Sequence, residues 1–282
     1  MKNLFFSSLA LISFAGNSVL CRYALTDEVI DAASFTVIRL FSGAIVLFLL
    51  VVFKKRMVFK LTEGNWLTSF YLFLYALTFS MAYTSLNTGV GALILFGAVQ
   101  LTMVVGSILN GKMLSRFEWL GLVIAFSGLS YLLLPSENTV APSLTGFILM
   151  LISGSAWGLY TLAGKSTLDP LLQTANNFIR TLPFVAILLL FTLKKANIST
   201  DGVLLAVASG AITSGLGYAL WYVALKHLAV IQAAILQLTV PIIATFGGVF
   251  FLSEAISVQL IIATLLVLGG ILIALWAKKT HK

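Results

Sequence analysis

The feature that most constrains this chain is an apolar run of about 20 residues, which recurs along almost its whole length. A helix of that length spans the roughly 30 Å hydrocarbon core of a bilayer. Because this core offers no water, every backbone N–H and C=O must be paired within the protein, and a helix pairs its own. A closed β-barrel would instead show alternating segments of about 10 residues. The pattern therefore predicts an all-α membrane protein.

Ten such runs can be delimited, and short connectors separate them. Only 9% of the residues are charged and 60% are hydrophobic, whereas soluble chains carry roughly 25% charged residues. A water-soluble protein is therefore excluded. No small-residue cleavage site follows the first run, so we expect a retained helix rather than a signal peptide. The predicted spans are Leu4–Leu25, Ala32–Phe53, Asn65–Leu86, Gly89–Leu109, Phe117–Leu134, Leu144–Gly164, Leu171–Leu193, Gly202–Leu225, Ala229–Leu252 and Val258–Trp276.

The net charge of +8 would suit a nucleic-acid partner, but the positive residues occupy the connectors and form no basic groove with interleaved aromatics. Nucleic acid is therefore excluded, and the lipid bilayer is the expected surrounding. If the N-terminus is cytoplasmic, twelve of the 17 Lys and Arg residues fall in connectors on that side and three on the other. Because positive connectors stay in the cytoplasm, we predict a bacterial inner-membrane protein with both termini cytoplasmic.

The two halves of the sequence resemble each other at a constant offset of 142 residues. Gly106 matches Gly248, Gly128 matches Gly270, and a helical stripe in the first span matches one in the sixth. That stripe pairs Phe5, Leu9, Ser13, Gly16 and Leu20 with Phe147, Leu151, Ser155, Gly158 and Leu162. Five spans per copy is an odd number, so the second copy must enter the membrane inverted. The sequence thus predicts ten transmembrane helices as two inverted five-helix repeats, residues 1–141 and 142–282, a construction typical of secondary transporters.

The second half also contains the motifs of a known family. Tyr218 to Leu225 reads YALWYVAL, an apolar stretch with Pro241 follows, and Phe251 to Glu254 reads FLSE. With the Trp157-Gly158 pair, these segments resemble the EamA-type repeat of the drug/metabolite transporter superfamily. The first half departs from the pattern, since Val99 and Lys112 stand at the positions of the proline and the glutamate. The resemblance implies a central cavity lined by spans 1, 3, 4, 6, 8 and 9, with spans 2 and 7 outside it. It also implies alternating-access export of amino acids or related small metabolites.

Two arginines, Arg39 and Arg180, lie well inside predicted spans, at an offset of 141. A charge inside a span is costly and is by default a functional candidate. Each could bind a substrate carboxylate, or could instead bind backbone carbonyls, polar side chains or lipid headgroups. Their place on spans 2 and 7 favours the second interpretation where the resemblance holds.

The other candidate substrate-binding residues are aromatic or amide side chains inside spans. Aromatic residues three or four apart can share one helical face and stack a flat substrate group, although such a face also serves helix packing or an interfacial belt. Buried amides need hydrogen-bond partners, which are most commonly other helices. The candidates are Asn17, Tyr75, Tyr83, Trp157, Tyr160, Tyr218 and Gln237.

Enzymatic chemistry finds no support in the sequence. No nucleophile–base pair, metal-ligand spacing or cofactor motif is present, and the single cysteine, Cys21, excludes an intramolecular disulfide. We therefore predict a non-enzymatic transporter of a small-molecule metabolite without metal or cofactor. A monomeric protein is compatible with this prediction. A non-transporting receptor or assembly factor and a membrane-embedded enzyme are the alternatives.

All nine acidic residues and both histidines lie in connectors or near span ends. Since proton-coupled transporters carry such groups deep in a span, we expect facilitated diffusion or exchange.

Overall fold

The computed structural model describes residues 2–26, 28–55, 63–109, 111, 113–134, 142–164, 169–225 and 236–280. The described chain is helical, with a lone antiparallel bridge between Ile30 and Ile198 and no β-strand in these ranges. The eighth helix, α8, is built from three consecutive segments, Thr200–Val207, Ala208–Leu216 and Gly217–Leu225. The other helices are α1 (Lys2–Thr26), α2 (Ala32–Lys55), α3 (Trp66–Tyr83), α4 (Thr88–Leu109), α5 (Arg116–Tyr131), α6 (Leu144–Ala163), α7 (Pro170–Thr192), α9 (Val240–Leu252) and α10 (Val258–Thr280).

Most of the described helices have the length and surface that a bilayer requires. Within the described residues, seven helices are long and apolar enough to cross a membrane, and α9 is a shorter apolar helix of 13 residues. Large hydrophobic side chains such as Leu190, Phe250 and Phe251 point outward and are exposed. Such an apolar exterior is stable in lipid and would not be stable in water. The predicted all-α, multi-pass class is therefore confirmed.

Local signals set the helix ends. Asn65 and Thr68 form a capping box at the start of α3, and Ser115 and Glu118 form another at the start of α5. The predicted third span runs to Leu86, but α3 ends at Tyr83 because the chain turns over the residues before α4. The first part of the predicted ninth span, residues 229–235, lies outside the described residues.

The packing of the helices is symmetric between the halves of the chain. Helix α6 packs against α3 and α4, while α1 packs against α8 and α9. When five is added to each helix number, and α1 is counted after α10, the set α6, α3 and α4 becomes the set α1, α8 and α9. The pairs α2–α7, α4–α9 and α5–α10, which also pack together, convert into themselves.

Glycines bring α5 and α10 into backbone contact. A Cβ atom on Gly270 would lie 2.5 Å from the carbonyl oxygen of Gly121 and 2.6 Å from the amide nitrogen of Ala125. A Cβ atom on Gly128 would likewise lie 2.9 Å from a side-chain carbon of Val267. The contacts Ala125–Gly270 and Gly128–Val267 interchange under the 142-residue offset. Close approach of this kind is how helices associate in a membrane, where van der Waals packing replaces the hydrophobic effect.

Asp31 joins two connectors at one end of the bundle. Its Oδ1 accepts hydrogen bonds from the backbone N–H groups of Ala33 (3.0 Å) and Ser34 (2.9 Å), which caps α2, and its Oδ2 accepts one from Asn197 (3.0 Å). Burial alone would raise the pKa of Asp31, but the hydrogen bonds from Ser34, Asn197 and Ala33 outweigh it and lower the pKa below its ordinary value of 3.8. The ionised carboxylate therefore fastens the α1–α2 connector to the α7–α8 connector.

We expect Asp31→Ala to lower the free energy of unfolding by about 1 kcal/mol, the usual value of an N-cap. A depressed folded-state pKa contributes stability above the unfolded value of 3.8, and this contribution is lost as the pH falls through the folded pKa. The difference in melting temperature between wild type and Asp31→Ala in detergent should therefore be present at pH 7 and smaller at pH 3. The exposed Asp201 supplies the control substitution Asp201→Ala. A difference of equal size at both pH values would contradict this account.

Candidate functional site

A small cavity lies in the centre of the bundle, between α1, α3, α4, α6 and α8. Its free volume is about 20 Å³, which is room for about one water molecule. In this conformation the lining side chains therefore close the site against anything as large as an amino acid. The lining consists of Phe14, Asn17, Tyr75, Phe79, Leu95, Phe96, Trp157, Thr213 and Tyr218.

Trp157 is the centre of an aromatic cluster. Its ring centroid lies 4.9 Å from that of Tyr75, 5.0 Å from that of Tyr218 and 5.4 Å from that of Tyr160. Gly154 and Gly158, on the same helix, bring α6 close to α4, because a Cβ atom at Gly154 would lie 2.5 Å from a carbonyl oxygen of α4. The rings around Trp157 form a wall of π faces on which a flat or apolar group can stack.

Asn17 supplies the polar part of the cavity. Its Oδ1 accepts hydrogen bonds from Ser209 Oγ (2.6 Å) and Thr213 Oγ1 (3.2 Å), and its Nδ2 donates to the Tyr75 hydroxyl (3.4 Å). Asn17 therefore links α1, α3 and α8 around the cavity. Since its amide is already bonded to side chains that could rotate, it can exchange these partners for those of a ligand.

The segment of α8 that reaches the cavity is a π-helix, Ala208–Leu216. π-Helical turns are rare and occur frequently at functional sites. Within it, Thr213 bonds Asn17 while the next residue, Ser214, bonds Arg39, so one irregular turn serves both groups. Apolar periodicity alone predicts a regular helix here, and this irregularity was not predicted.

Arg39 and Arg180 occupy different environments despite their matching positions in the sequence. Arg39 is 1% exposed and lies behind the cavity wall, where its Nη2 donates to the Tyr75 hydroxyl at 3.0 Å. Arg180 Nη1 donates instead to the backbone carbonyl of Glu63, which also accepts a bond from Asn176. Arg180 thus fastens α7 to the connector before α3 and is not among the residues that line the cavity.

Four of the predicted substrate-binding residues, Asn17, Tyr75, Trp157 and Tyr218, line the cavity. Tyr160 lies behind Trp157, with its hydroxyl accepting from Asn177 at 3.4 Å. Tyr83 lies towards the end of the bundle, where its hydroxyl donates to the Thr88 carbonyl at 3.2 Å, and the half-buried Gln237 is not part of the lining. The lining residues that were not predicted are Phe14, Phe79, Leu95, Phe96 and Thr213.

A larger pocket of about 380 Å³ opens at one end of the bundle, between the α3–α4 and α9–α10 connectors. Its carboxylate, Glu254, is already occupied, because it accepts from the backbone N–H of Thr88 at 2.9 Å and pairs with Arg22 at 3.5 Å. No three metal-binding side chains are grouped in the ranges that the structure describes. The central cavity, with rotatable polar groups and π faces from five helices, is therefore the better candidate site.

Comparison with known proteins identifies relatives along the whole chain. The model of the EamA-like transporter family matches residues 1–134 and again residues 144–276. An uncharacterized protein of Pseudomonas aeruginosa is 47% identical over 274 residues, which cover 97% of this chain and 94% of that protein. A Salmonella typhimurium protein described as "Probable amino-acid metabolite efflux pump" is 23% identical and covers 74% of each chain. A solved crystal structure with 18% identity covers 98% of each chain with a TM-score of 0.65, which shows the same fold.

Proposed function

The chain belongs to the EamA-like transporter family, and from this premise we propose that it exports amino acids or related small metabolites across the inner membrane through the central cavity. The observation that carries the proposal is the cavity itself. Trp157, Tyr75 and Tyr218 provide π faces and Asn17 provides a polar group, all on helices of the bundle interior. The Salmonella relative described as an amino-acid metabolite efflux pump supports the substrate class.

The proposed mechanism is alternating access between two inverted repeats, residues 1–141 and 142–282. Two separate matches to one family model, at residues 1–134 and 144–276, support the division. The symmetric packing, in which α6 meets α3 and α4 as α1 meets α8 and α9, supports an exchange of equivalent contacts between two open states. The closed cavity then represents the point at which neither side has access. In this proposal each repeat contributes five membrane spans, so that the protein has ten.

The export function is tested by comparing the extracellular metabolites of cells that overproduce the protein with those of cells that lack it. We expect one or a few amino acids or related compounds to accumulate outside only the overproducing cells. Cells that produce the chain with Trp276→Ala, a lipid-facing substitution at a residue 74% exposed, serve as a control and should match the wild type. Identical extracellular metabolites in the overproducing and deficient strains would contradict the proposal.

The predicted topology requires the C-terminus to be cytoplasmic. A fluorescent-protein or phosphatase fusion after Lys282 should report the cytoplasmic side, because this orientation places twelve positive residues in the cytoplasm and three on the other side. The same reporters inserted after Glu28, in the α1–α2 connector, should give the periplasmic signal. A periplasmic signal from the C-terminal fusion would contradict both the ten spans and the inverted repeat.

We expect transport without obligatory proton coupling. The acidic residues that the structure describes lie in connectors, at helix caps or in the first turn of a helix; Glu118, for example, caps α5, and Glu254 pairs with Arg22 at the end of α1. Arginine stays protonated at any accessible pH and cannot carry protons. Counterflow in proteoliposomes should therefore proceed at the same rate with and without an imposed pH gradient. Uphill accumulation driven by the gradient, and abolished in Glu254→Gln or Glu118→Gln, would show that transport is proton-coupled.

A further inference from the structure

Arg39 places a permanent positive charge in the apolar interior. It lies on α2 and is 1% exposed. A guanidinium remains charged at every accessible pH, and a charge buried in a membrane protein is costly unless it is compensated. The partners of Arg39 therefore decide what it does.

Those partners are neutral. Nε donates to Ser214 Oγ at 3.2 Å and Nη2 donates to the Tyr75 hydroxyl at 3.0 Å. The guanidinium carbon also lies 5.2 Å from the centre of the Tyr75 ring and 5.0 Å from that of Phe79. Among the described residues, the ion pair within 4.0 Å is Arg22–Glu254, so Arg39 has no carboxylate there.

One donor of Arg39 is also unused. Nη1 is buried and has no hydrogen-bond partner among the described residues. Leaving a buried donor unsatisfied is unfavourable, and the penalty is greater for a charged group than for a neutral one. The guanidinium is thus stabilised by the two rings, but among the described residues it has neither a counter-ion nor a partner for Nη1.

The charge lies one layer behind the cavity. Both rings that contact Arg39, those of Tyr75 and Phe79, line the cavity, and its partner Ser214 follows the lining residue Thr213. The Tyr75 hydroxyl accepts from Arg39 and from Asn17, so it connects the guanidinium to the polar part of the lining. Rotation of the Tyr75 side chain away from Arg39 would free Nη2, in addition to the unused Nη1, for another acceptor.

We infer that the transported molecule carries a carboxylate and that Arg39 binds it with Nη1 and Nη2 when the cavity opens. This inference rests on the proposed function and specifies its substrate class. A carboxylate accepts two parallel hydrogen bonds from a guanidinium. Arg39 has two donors for these bonds, since Nη1 is unused and Nη2 donates to the rotatable hydroxyl of Tyr75. The remainder of the molecule then stacks against Trp157, whose ring lies 4.9 Å from that of Tyr75.

Arg180 provides the matched comparison. It sits at the equivalent position of the second half, but its Nη1 donates to the Glu63 carbonyl in a connector. Arg39→Gln removes the charge behind the cavity, and Arg180→Gln removes the same charge at a distance from it. Arg39→Lys keeps the charge and loses the bidentate geometry.

The experiment uses proteoliposomes loaded with a deproteinised small-molecule extract of bacterial cells, with mass spectrometry of the compounds released. We expect wild type to release carboxylates only. Arg39→Gln should release them at least about tenfold more slowly, Arg39→Lys should be intermediate, and Arg180→Gln should keep the wild-type rate per folded molecule. Melting temperatures in detergent show whether each variant is folded at the assay temperature, and size-exclusion chromatography gives the folded fraction used to normalise the rates.

The outcomes separate the two proposals. If wild type releases nothing above empty liposomes, the transport function itself is wrong. If it releases compounds without a carboxylate, transport stands and the role of Arg39 is overturned, whether or not the variants fold. If carboxylates leave at equal rates through wild type and well-folded Arg39→Gln, the role of Arg39 is likewise overturned.

Discussion

Trp157→Ala is expected to reduce metabolite flux in proteoliposomes about tenfold, since the loss of one aromatic contact of about 1.4 kcal/mol corresponds to a factor of ten. Trp157 is the ring around which Tyr75, Tyr160 and Tyr218 gather, at centroid distances of 4.9, 5.4 and 5.0 Å. Removing it takes away the main stacking face of the cavity. Trp157→Phe, which keeps a smaller ring, should retain a larger share of the flux.

The same substitution at Trp276, which is 74% exposed on the outside of α10, is the control and should leave the flux unchanged. Flux is measured per folded molecule, because the rings around Trp157 also pack against one another. If Trp157→Ala and Trp157→Phe lower the melting temperature but transport at the wild-type rate, the cluster is only a packing element.

Gly270→Ala is expected to destabilise the protein by about 1–3 kcal/mol, the usual cost of overpacking a tight contact. The new Cβ would lie 2.5 Å from the carbonyl oxygen of Gly121 and 2.6 Å from the amide nitrogen of Ala125. Both neighbours are backbone atoms, which cannot move aside as a flexible side chain can. Helices α5 and α10 must therefore separate, and the melting temperature in detergent should fall by several degrees.

The adjacent residue offers a control that differs only in its surroundings. A Cβ atom at Gly269 would have nothing within 4 Å. Gly269→Ala should therefore be neutral or stabilising by up to about 1 kcal/mol, since alanine favours the helix over glycine. Equal melting temperatures for the two variants would show that the α5–α10 contact is loose enough to accept a Cβ atom at Gly270.

The sequence predicts the helices well because bilayer thickness is a strong constraint. The starts at Ala32, Leu144 and Val258 coincide with the predicted starts, since apolar runs after polar connectors leave little choice. The predicted end of the third span, Leu86, lies three residues beyond Tyr83, where α3 ends. There the apolar Leu86 continues the hydrophobic run, while the backbone already turns towards α4, and hydropathy does not register a turn.

The site could be predicted only in part. Asn17, Tyr75, Trp157 and Tyr218 stand out as polar or amphipathic groups in apolar spans, and all four line the cavity. Phe79 and its apolar neighbours in the lining look like any other packing residues in a helix of this kind. They line the cavity because of the way each helix is rotated about its own axis. The sequence does not specify this rotation, because a membrane helix that is apolar on every face has no pattern that marks the inward face.

The two arginines show the same limit. Arg39 and Arg180 are equivalent by sequence, and the resemblance places both outside the cavity. What separates them is tertiary: the connector at Glu63 folds back onto α7 and binds Arg180, whereas Arg39 finds the hydroxyls of Ser214 and Tyr75. A single sequence contains no signal for which partner a buried charge will meet.

If a substrate passes through this cavity by alternating access, the cavity must open to each side of the membrane in turn, and thiol accessibility tests this most directly. The buried Cys21 is replaced by alanine, and Thr213, in the cavity lining, becomes the single cysteine. With the small-molecule extract on both sides, a membrane-impermeant maleimide should label Thr213→Cys in right-side-out and in inverted vesicles alike. A cysteine at the lipid-facing Leu265 should react in neither. Labelling of Thr213→Cys from one side only, or from neither, would contradict the mechanism.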